Sequence, residues 1–288
     1  MLTIDIDNDT CIRCGKCVRV CPAFIFTQED PKAEIETTDI DNCIVCSHCV
    51  AACPTDSVIH SDFPMEKVHV LNRDILPRPE QLMELLHARR SNRAFLQKPV
   101  PEEYLDQIVK AAHLAPTASN GQEVAYTLIT NPDLLRQISE TTIDIFEGTV
   151  RMIKNPLLSP IIRLISPEAK EALPTLEHVI DKYKSGYDII LRNAKAVLFI
   201  HTPANHNFGR QDANLAYQNA SLMAESLGVT QFYTGFVCAS CDLDKKKRRL
   251  AKLLNIEGQV HAGMAMAMPA FKYPKYADRK DIQLTVFK

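Results

Sequence analysis

Two runs of cysteine with identical spacing are the residues of this chain best suited to chemistry. The first run is Cys11, Cys14, Cys17 and Cys21, and the second, 32 residues later, is Cys43, Cys46, Cys49 and Cys53. A proline, Pro22 or Pro54, follows the last cysteine of each run. Three thiolates at two-residue gaps can hold three corners of one iron–sulfur cluster, while the fourth points toward another cluster. The spacing therefore predicts one-electron chemistry at two 4Fe-4S clusters.

The pattern resembles that of the two-cluster ferredoxins of bacteria, in which the last cysteine of each run ligates the cluster of the other run. We call the two predicted sites the first cluster and the second cluster. On this pattern the first cluster has the ligands Cys11, Cys14, Cys17 and Cys53, and the second has Cys21, Cys43, Cys46 and Cys49.

Other uses of the cysteines fit less well. Zinc favours C-x2-C pairs separated by a longer stretch, whereas here two quartets are complete and both end on proline. Disulfides need an oxidising compartment, and residues 1–9 lack the basic and apolar regions of a signal peptide, so we expect reduced, metal-bound cysteines in the cytoplasm. His48 lies between two ligands, but no cysteine is missing that it would replace. We therefore expect His48 beside the cluster or at the surface, and no Rieske centre.

Length and composition predict a second domain. The chain has 288 residues, many more than a ferredoxin needs, and a net charge of -2 with 46% hydrophobic and 24% charged residues. No global basic field indicates nucleic acid, and no long apolar run indicates a membrane span. Pro64, Pro77 and Pro79 punctuate a stretch without clear periodicity, so we predict a linker at 64–80 between domains at 1–63 and 81–288.

The second domain alternates helical and strand patterns, as α/β and α+β layered domains do. The periodicity predicts helices at 80–90, 101–115 and 210–228, the last ending on Gly228, and strands at 124–130, 196–202 and 260–268. Residues 141–185 are helical in pattern but interrupted by four prolines. We interpret this segment as an inserted helical cap.

Residues 89–93 carry three arginines and a serine in the sequence RRSNR. Guanidinium groups bind phosphate and polarised carbonyl oxygens through paired hydrogen bonds, so the segment suits an anionic cofactor. A charge run of this size is more often a solvated helix end. The segment by itself therefore leaves both interpretations open.

The segment also resembles the FMN-binding opening of the nitroreductase family, R-R-S-x-R-x-F, and further matches follow in the order of that family. They are 115-APTASNGQ-122, the glycine-containing turn in 227-LGVTQFYTGF-236, and 263-GMAMAMPAFKYPKY-276. The resemblance implies that Asn120 hydrogen-bonds the isoalloxazine ring and that lysines of the C-terminal segment lie by the phosphate. The FMN-contacting positions it implies are Arg89, Ser91, Arg93, Asn120, Gln122, Thr234, Gly235, Lys272, Lys275 and Arg279.

The resemblance implies an α+β fold: a nitroreductase-like FMN domain, with a mixed sheet flanked by helices, and a small N-terminal ferredoxin-like domain. It also implies a homodimer with FMN in the subunit interface. Three features depart from the family pattern. Glu123 and Val124 follow the glutamine, where the family often has Pro-Trp, and the chain contains no tryptophan. Lys275 replaces the usual arginine, with Arg279 as a possible substitute, and the cap is longer than in compact members.

Clusters pass single electrons, whereas FMN stores two and releases them as hydride. We therefore expect an FMN-dependent oxidoreductase in which a low-potential donor, a ferredoxin-like protein or NAD(P)H, reduces the clusters and these reduce FMN. The acceptor is a small molecule of nitro, quinone or enone type. None of the nine glycines forms G-x-G-x-x-G, so no Rossmann site is visible. An electron relay or redox sensor, and a reductive dehalogenase-like or flavin-modifying enzyme, remain as alternatives.

Three further features have plain interpretations. Cys238 and Cys241 form a lone C-x2-C that suits a redox dithiol or metal, but ordinary buried cysteines fit it better. The methionines at 264, 266 and 268 alternate as in a buried strand, which predicts core packing. The basic run 245-KKKRR-249 suits an acidic partner, but a solvated helix face explains it more simply.

Overall fold

A computed structural model describes residues 2–160, 164 and 168–288 of the chain. The chain divides into two compact units, Met1–Leu76 with Ala118–Gln122, and Pro77–Thr117 with Glu123–Lys288. The division after Leu76 falls within 64–80, where the sequence analysis placed a linker. Residues 118–122, assigned from the sequence to the second domain, group with the first unit. The domain boundaries themselves stay predictions.

The first unit is built from two small antiparallel sheets and two one-turn helices. Strand β1 (Ile4–Ile6) pairs with β4 (Val58–His60), and β2 (Phe26–Thr27) pairs with β3 (Glu36–Thr37). Helices α1 (Lys16–Val20) and α2 (His48–Ala52) each follow two cysteines of one run. Short 3-10 turns lie at Ile40–Asn42, Met65–Lys67, Arg73–Ile75 and Ala118–Asn120. The apolar core of this unit consists of Ile4, Ile6, Ile25, Phe26, Ile35, Val50 and Val58 with Cys17 and Cys49.

The second unit has four strands and seven helices among the described residues. The strands are β5 (Ala125–Ile129), β6 (Ala196–Thr202), β7 (Thr230–Tyr233) and β8 (Gln259–Ala267). The helices are α3 (Pro79–Ala88), α4 (Glu102–His113), α5 (Pro132–Lys154), α6 (Glu168–Lys184), α7 (Gly209–Ser226), α8 (Gly235–Leu243) and α9 (Arg249–Leu253).

The four strands form one sheet in the order β5-β6-β8-β7, with every ladder antiparallel, and Ser91 adds a parallel bridge to Gln231 at the β7 edge. Alternate residues of β6 enter different cores because successive side chains of a strand point to opposite faces. Val197 and Phe199 pack with α5 and α6, whereas Leu198 and Ile200 pack with α4 and the alanine-rich face of α7. The α+β fold class is confirmed, and the sheet is covered by helices on both faces.

The strongly periodic predictions agree with the observed elements to within about two residues at each end, apart from the cap. Helix α5 begins at Pro132, ahead of the predicted start at 141, because Asn131 caps it by accepting a hydrogen bond from Leu134 N. Within the predicted cap, residues 161–163 and 165–167 lie outside the described residues. Strand β7 was missed, since its four residues lie inside the segment interpreted as a turn. Among the described helices, none has the length and apolar character needed to cross a membrane.

Candidate functional site

The two cysteine loops of the first unit share an unusual backbone. Arg13 and Val45, at equivalent places in the repeat, have φ of 57° and 51°, and the next equivalent pair, Gly15 and Ser47, has φ of 64° and 62°. A positive φ is rare for a β-branched residue such as Val45 and marks a functional constraint more often than an accident. When residues with positive φ alternate with residues of ordinary negative φ, successive backbone N–H groups point toward one place. Anionic sulfur can bind there.

The backbone N–H groups of these loops do meet the cysteine sulfurs. Arg13 N donates to Cys11 Sγ at 3.4 Å, and the equivalent Val45 N donates to Cys43 Sγ at 3.3 Å. Ser57 N donates to Cys53 Sγ at 3.2 Å. Hydrogen bonds to thiolate sulfur are among the features that set the potential of an iron–sulfur cluster. The loops are therefore preorganised for thiolate ligands.

Cysteines from the two runs lie near one another. Burial raises the pKa of the Cys17 thiol, and the charges of Cys11 and Cys53 raise it further. Burial likewise raises the pKa of Cys49 to about 11, with the same contribution from Cys21, Cys43 and Cys46. One cavity of the first unit is lined by all four cysteines of the predicted second cluster. The residues thus fit two cubane clusters, and the eight ligand assignments stay predictions.

The described residues hold no group of three or more His, Cys, Asp or Glu side chains arranged for a single metal ion. The exposure of the ligands differs between the two sites. Cys14 is exposed, whereas the other seven cysteines of the two runs are partly or fully buried. The predicted first cluster is therefore the more accessible one within this unit.

An amide side chain holds each cysteine loop. In the first loop, Gln28 Nε2 donates to the carbonyl oxygens of Arg13 at 3.1 Å and of Ala33 at 3.0 Å. In the second loop, Asn120 Nδ2 donates to the carbonyl oxygens of Ile44 at 3.1 Å and Val45 at 2.8 Å. Asn120 was predicted as a flavin contact. Within the first unit, its amide nitrogen is committed to the second cysteine loop, and only its Oδ1 remains for another partner.

His60 is a site residue that the sequence analysis missed. Its ring is 3% exposed, and Nε2 lies 3.8 Å from Cys43 Sγ. Burial lowers the pKa of this imidazole, with an opposing contribution from the charge of Asp62. The 32-residue repeat could have pointed to position 60, because it corresponds to Gln28. His48, by contrast, lies exposed between Ser47 and Cys49.

In the second unit, the cations of the predicted flavin site converge on helix α7. The charges of Arg89 and Arg93 both act on Tyr217, where burial raises the phenol pKa to about 12. Those of Lys272 and Arg89 both act on Glu225, whose pKa is raised by burial. Arg89 thus lies near both Tyr217 and Glu225, with Arg93 near the first and Lys272 near the second, and cations of this kind suit a phosphate.

Asn92 fixes the strand-like segment that carries these arginines. Its side chain is buried, with Nδ2 donating to Phe271 O at 3.0 Å and Oδ1 accepting from Ala94 N at 2.9 Å. This anchoring leaves Ser91 and Arg93 exposed on the other side of the chain. The guanidinium of Arg93 lies over the Phe232 ring at 5.2 Å and donates to Ser91 O at 3.2 Å. Both interactions hold Arg93 in place without using its full set of donors.

Thr234 and Gly235 lie where β7 ends and α8 begins. Thr234 is buried and its backbone N–H donates to Gly263 O at 2.9 Å. A Cβ on Gly263 would lie 2.3 Å from Thr234 Oγ1 and 2.9 Å from the Phe199 ring, so only glycine permits this approach. The strand β8 therefore sets the position of the predicted flavin turn.

Three further predicted contacts fall in two segments. Lys275 and Arg279 lie in the exposed segment after β8, and Gln122 lies with the first unit at a φ of 51°. All ten flavin-contacting assignments stay predictions.

The other sequence features have structural explanations. Burial raises the pKa of Cys238 to about 11 and of Cys241 to about 12, which disfavours the reactive thiolates that a redox dithiol needs. Met264 and Met266 are fully buried, as core packing predicts. In the basic run, Arg248 donates to the carbonyl oxygens of Ile256, Glu257 and Gly258. Part of that run therefore ties the start of α9 to the loop that leads into β8, whereas the sequence analysis expected a solvated face.

The fold, the cysteine loops and the predicted flavin site together define a class of protein, in which a flavin oxidoreductase-like domain is joined to a ferredoxin-like domain. Comparisons with known proteins support this classification. The model of the Nitroreductase family matches residues 86–268, and that of the 4Fe-4S dicluster domain matches residues 3–55. The chain belongs to the Nitroreductase family and carries a 4Fe-4S dicluster domain at its N-terminus.

Individual relatives are distant. FMN reductase (NAD(P)H) of Bacillus subtilis is 25% identical over 197 residues, which is 68% of each chain. Iodotyrosine deiodinase of Danio rerio is 25% identical over 128 residues, which is 44% of this chain and 43% of the deiodinase, so less than half of that protein's length is matched. A nitroreductase with bound FMN from Desulfitobacterium hafniense superposes with a TM-score of 0.55 at 15% identity, over 71% of this chain and 97% of that one. This likeness shows the shared fold. The family and its relatives support an FMN-dependent oxidoreductase.

Proposed function

We propose that this chain takes single electrons from a low-potential donor through two 4Fe-4S clusters to FMN, and that a small acceptor of nitro, quinone or enone type is reduced there. The observation that carries this proposal is the presence, on one chain, of two cysteine runs with preorganised loops and of cations beside helix α7 of a nitroreductase fold. When bound, the clusters supply one-electron transfer and FMN supplies two-electron hydride chemistry.

The residues of the chain bind and orient these groups. The loops at Arg13 and Val45 direct N–H groups at the ligand sulfurs, and Arg89 with Lys272 supplies positive charge for the FMN phosphate. Arg93 is proposed to lie at the N1/O2 edge of the flavin, where a cation stabilises negative charge on the reduced ring. No acid–base triad is required, because the protein contributes position and electrostatics.

The first experiment is anaerobic quantitation of iron, sulfide and FMN, followed by reduction with ferredoxin or NAD(P)H while flavin absorbance is recorded. About eight irons and one FMN per chain, with bleaching driven by ferredoxin, is the expected result for two 4Fe-4S clusters and one flavin. Clusters without flavin would contradict the reductase and leave a relay or sensor. Flavin reduced by NAD(P)H alone would remove the clusters from the input path.

A second candidate is reductive dehalogenation, which the similarity to iodotyrosine deiodinase favours. In both reactions the chain would bind an aromatic acceptor beside the flavin, so the two differ in the product. Incubation of the reduced protein with nitroaromatic, quinone and iodophenol substrates, with product analysis, separates them. Halide release faster than nitro or quinone reduction would replace the first candidate by the second.

We propose a homodimer, as the resemblance implies. Helix α3 has no buried residue in the isolated chain, and its Leu82, Met83 and Leu86 are 42 to 52% exposed. The C-terminal segment exposes Ile282 and Phe287, which are 89% and 94% accessible. Apolar side chains exposed in these two segments suit an interaction face, and a second copy would cover them. Sedimentation or light scattering giving twice the chain mass of 32.4 kDa is expected.

A further inference from the structure

The internal repeat of the first unit allows its two halves to be compared position by position. Residues 28 and 60 correspond, since each is 17 residues beyond the first cysteine of its run. Gln28 uses its amide to hold the Arg13 carbonyl of the first loop. In the second loop the equivalent carbonyl, that of Val45, is held by Asn120 instead. Because Asn120 holds the second loop, the residue at position 60 does not hold it in the way that Gln28 holds the first.

The side chain at this position, His60, is oriented by the backbone. Its Nδ1 accepts a hydrogen bond from Asp62 N at 3.1 Å, so in the neutral ring the hydrogen is on Nε2. Nε2 lies 3.8 Å from Cys43 Sγ, within reach of an N–H···S hydrogen bond. The ring packs against Phe63 with centroids 4.8 Å apart and is almost fully buried, which fixes this orientation.

The first cluster has a hydroxyl beside a ligand sulfur in place of an imidazole. Thr55 Oγ1 lies 3.7 Å from Cys53 Sγ, and Ser57 N donates to the same sulfur at 3.2 Å. Thr10 Oγ1 donates to Ser57 Oγ at 2.9 Å, so Ser57 can donate to Thr55 Oγ1 at 2.7 Å, which leaves the Thr55 hydrogen for Cys53. The two clusters therefore differ in the kind of side chain that lies beside a ligand sulfur.

We propose that His60 tunes the second cluster, raising its reduction potential through an N–H hydrogen bond to the ligand Cys43. Reduction adds one electron to a cluster and breaks no bond, and the added negative charge is shared with the ligand sulfurs. A hydrogen-bond donor at such a sulfur stabilises the more negative state more strongly. The inference rests on the proposed pair of 4Fe-4S clusters. In the second loop Asn120 holds the backbone, as Gln28 does in the first, and His60 is left to donate to the ligand sulfur.

The test is an EPR-monitored reductive titration of the full chain with a chemical reductant, comparing wild type with H60L. In H60L the reduction potential of one of the two clusters is expected to fall. If one net hydrogen bond is lost, the equilibrium constant for reduction of that cluster decreases by about tenfold. Tenfold corresponds to about 59 mV for a one-electron couple. The matched control is H48L, which makes the same substitution at an exposed histidine beside the ligand Cys49, and both of its potentials are expected to equal those of the wild type.

A second measurement does not depend on the folding of a variant. Pulsed EPR of the reduced wild type, labelled with 15N-histidine, is expected to show one nitrogen and one exchangeable proton coupled to a single cluster. Absence of that coupling, an unchanged potential in H60L, or an equal fall of both potentials would overturn the inference. Because the titration uses a chemical reductant, it gives the potentials whether or not FMN accepts electrons. Failure of the proposed electron path and failure of this inference are therefore distinguishable.

Discussion

At the scale of single residues, Arg93 is the side chain through which the proposed flavin site can be tested most directly. It is held over Phe232 and by Ser91 O, with donors left over for a ligand. Replacement by alanine (R93A) is expected to weaken FMN binding by roughly tenfold or more, the value of a hydrogen bond to a charged group. The R93K variant should bind FMN with an affinity between those of the wild type and R93A, because lysine keeps the charge without the paired donors. Fluorescence titration of the apoprotein with FMN measures the dissociation constants.

The control for R93A is R151A, which removes an arginine whose side chain is 73% exposed and pairs with Glu147 on the same helix. Exposed pairs of this type contribute little to stability. R151A should bind FMN as the wild type does. If R93A and R151A bind equally well, Arg93 does not belong to the flavin site.

The residue scale also shows how far sequence reasoning reaches. The cysteine frames could be read directly, since their spacing is dictated by cluster geometry. The roles of His60 and Asn120 could not, because each depends on a partner far away in the sequence: Cys43 for His60 and the carbonyls of Ile44 and Val45 for Asn120. A hydrogen bond between distant residues leaves no periodic signal.

At the scale of elements, the contact between β8 and the turn after β7 can be probed through Gly263. G263A places a methyl group 2.3 Å from Thr234 Oγ1, and overpacking of this kind is expected to cost about 1–3 kcal/mol. The matched control is G148A in α5, where a Cβ meets nothing within 4 Å and the better helix propensity should add about 1 kcal/mol. Chemical denaturation measures both changes. Destabilisation by G148A, or none by G263A, would contradict this account of the packing.

The junction of α8 and α9 predicts how stability depends on pH. Burial by itself would raise the pKa of Asp244, but hydrogen bonds from the backbone and side chain of Arg249 outweigh it and hold the pKa below the ordinary value of 3.8. A carboxyl with a depressed folded-state pKa stabilises the fold above its unfolded value and loses that contribution as pH falls through the folded value. We therefore expect this contribution to be complete near neutral pH and to be lost as the pH falls from about 4 through the lower folded-state pKa.

D244N removes this carboxylate while keeping its shape. At neutral pH the variant is expected to lose about 1.5–3 kcal/mol of unfolding free energy, since a buried partner of Arg249 is lost. The difference between wild type and D244N should shrink as the pH is lowered through 4. D278N, in the exposed C-terminal segment, serves as the control for loss of one negative charge. Denaturation curves at several pH values test the prediction, and a constant difference between wild type and D244N would refute it.

Element prediction succeeded where periodicity was strong and failed where an element was short. Strand β6 was predicted with its observed bounds because Ala196–Thr202 is an almost continuous buried run. Strand β7 was missed because its four residues, TQFY, include two polar ones, both buried by their neighbours. Gln231 is paired through Tyr217 OH at 2.7 Å and through the bridge to Ser91. Such burial is decided by tertiary contacts that a local pattern does not contain.

At the scale of the whole molecule, the two units differ in how much apolar core they have. The sheet of the second unit is buried on both faces by two extensive clusters. The core of the first unit is a single small cluster, and two of its buried members, Cys17 and Cys49, are predicted ligands. Small domains that lack sufficient core commonly depend on metal sites for stability. The second unit is therefore expected to fold without iron, and the first to depend on it.

Removal of iron tests this difference within the full chain. Because ligand binding is coupled to folding in small metal domains, chelation of iron is expected to unfold the first unit. Backbone amides of β1 and β4 should then lose their protection against hydrogen exchange, while those of β6 and β8 should keep it. Hydrogen exchange read by mass spectrometry reports the four strands separately in one sample, and reconstitution with iron and sulfide should restore protection in β1 and β4. Protection of β1 and β4 that survives complete iron removal would show that the small apolar core suffices and that the clusters serve electron transfer alone.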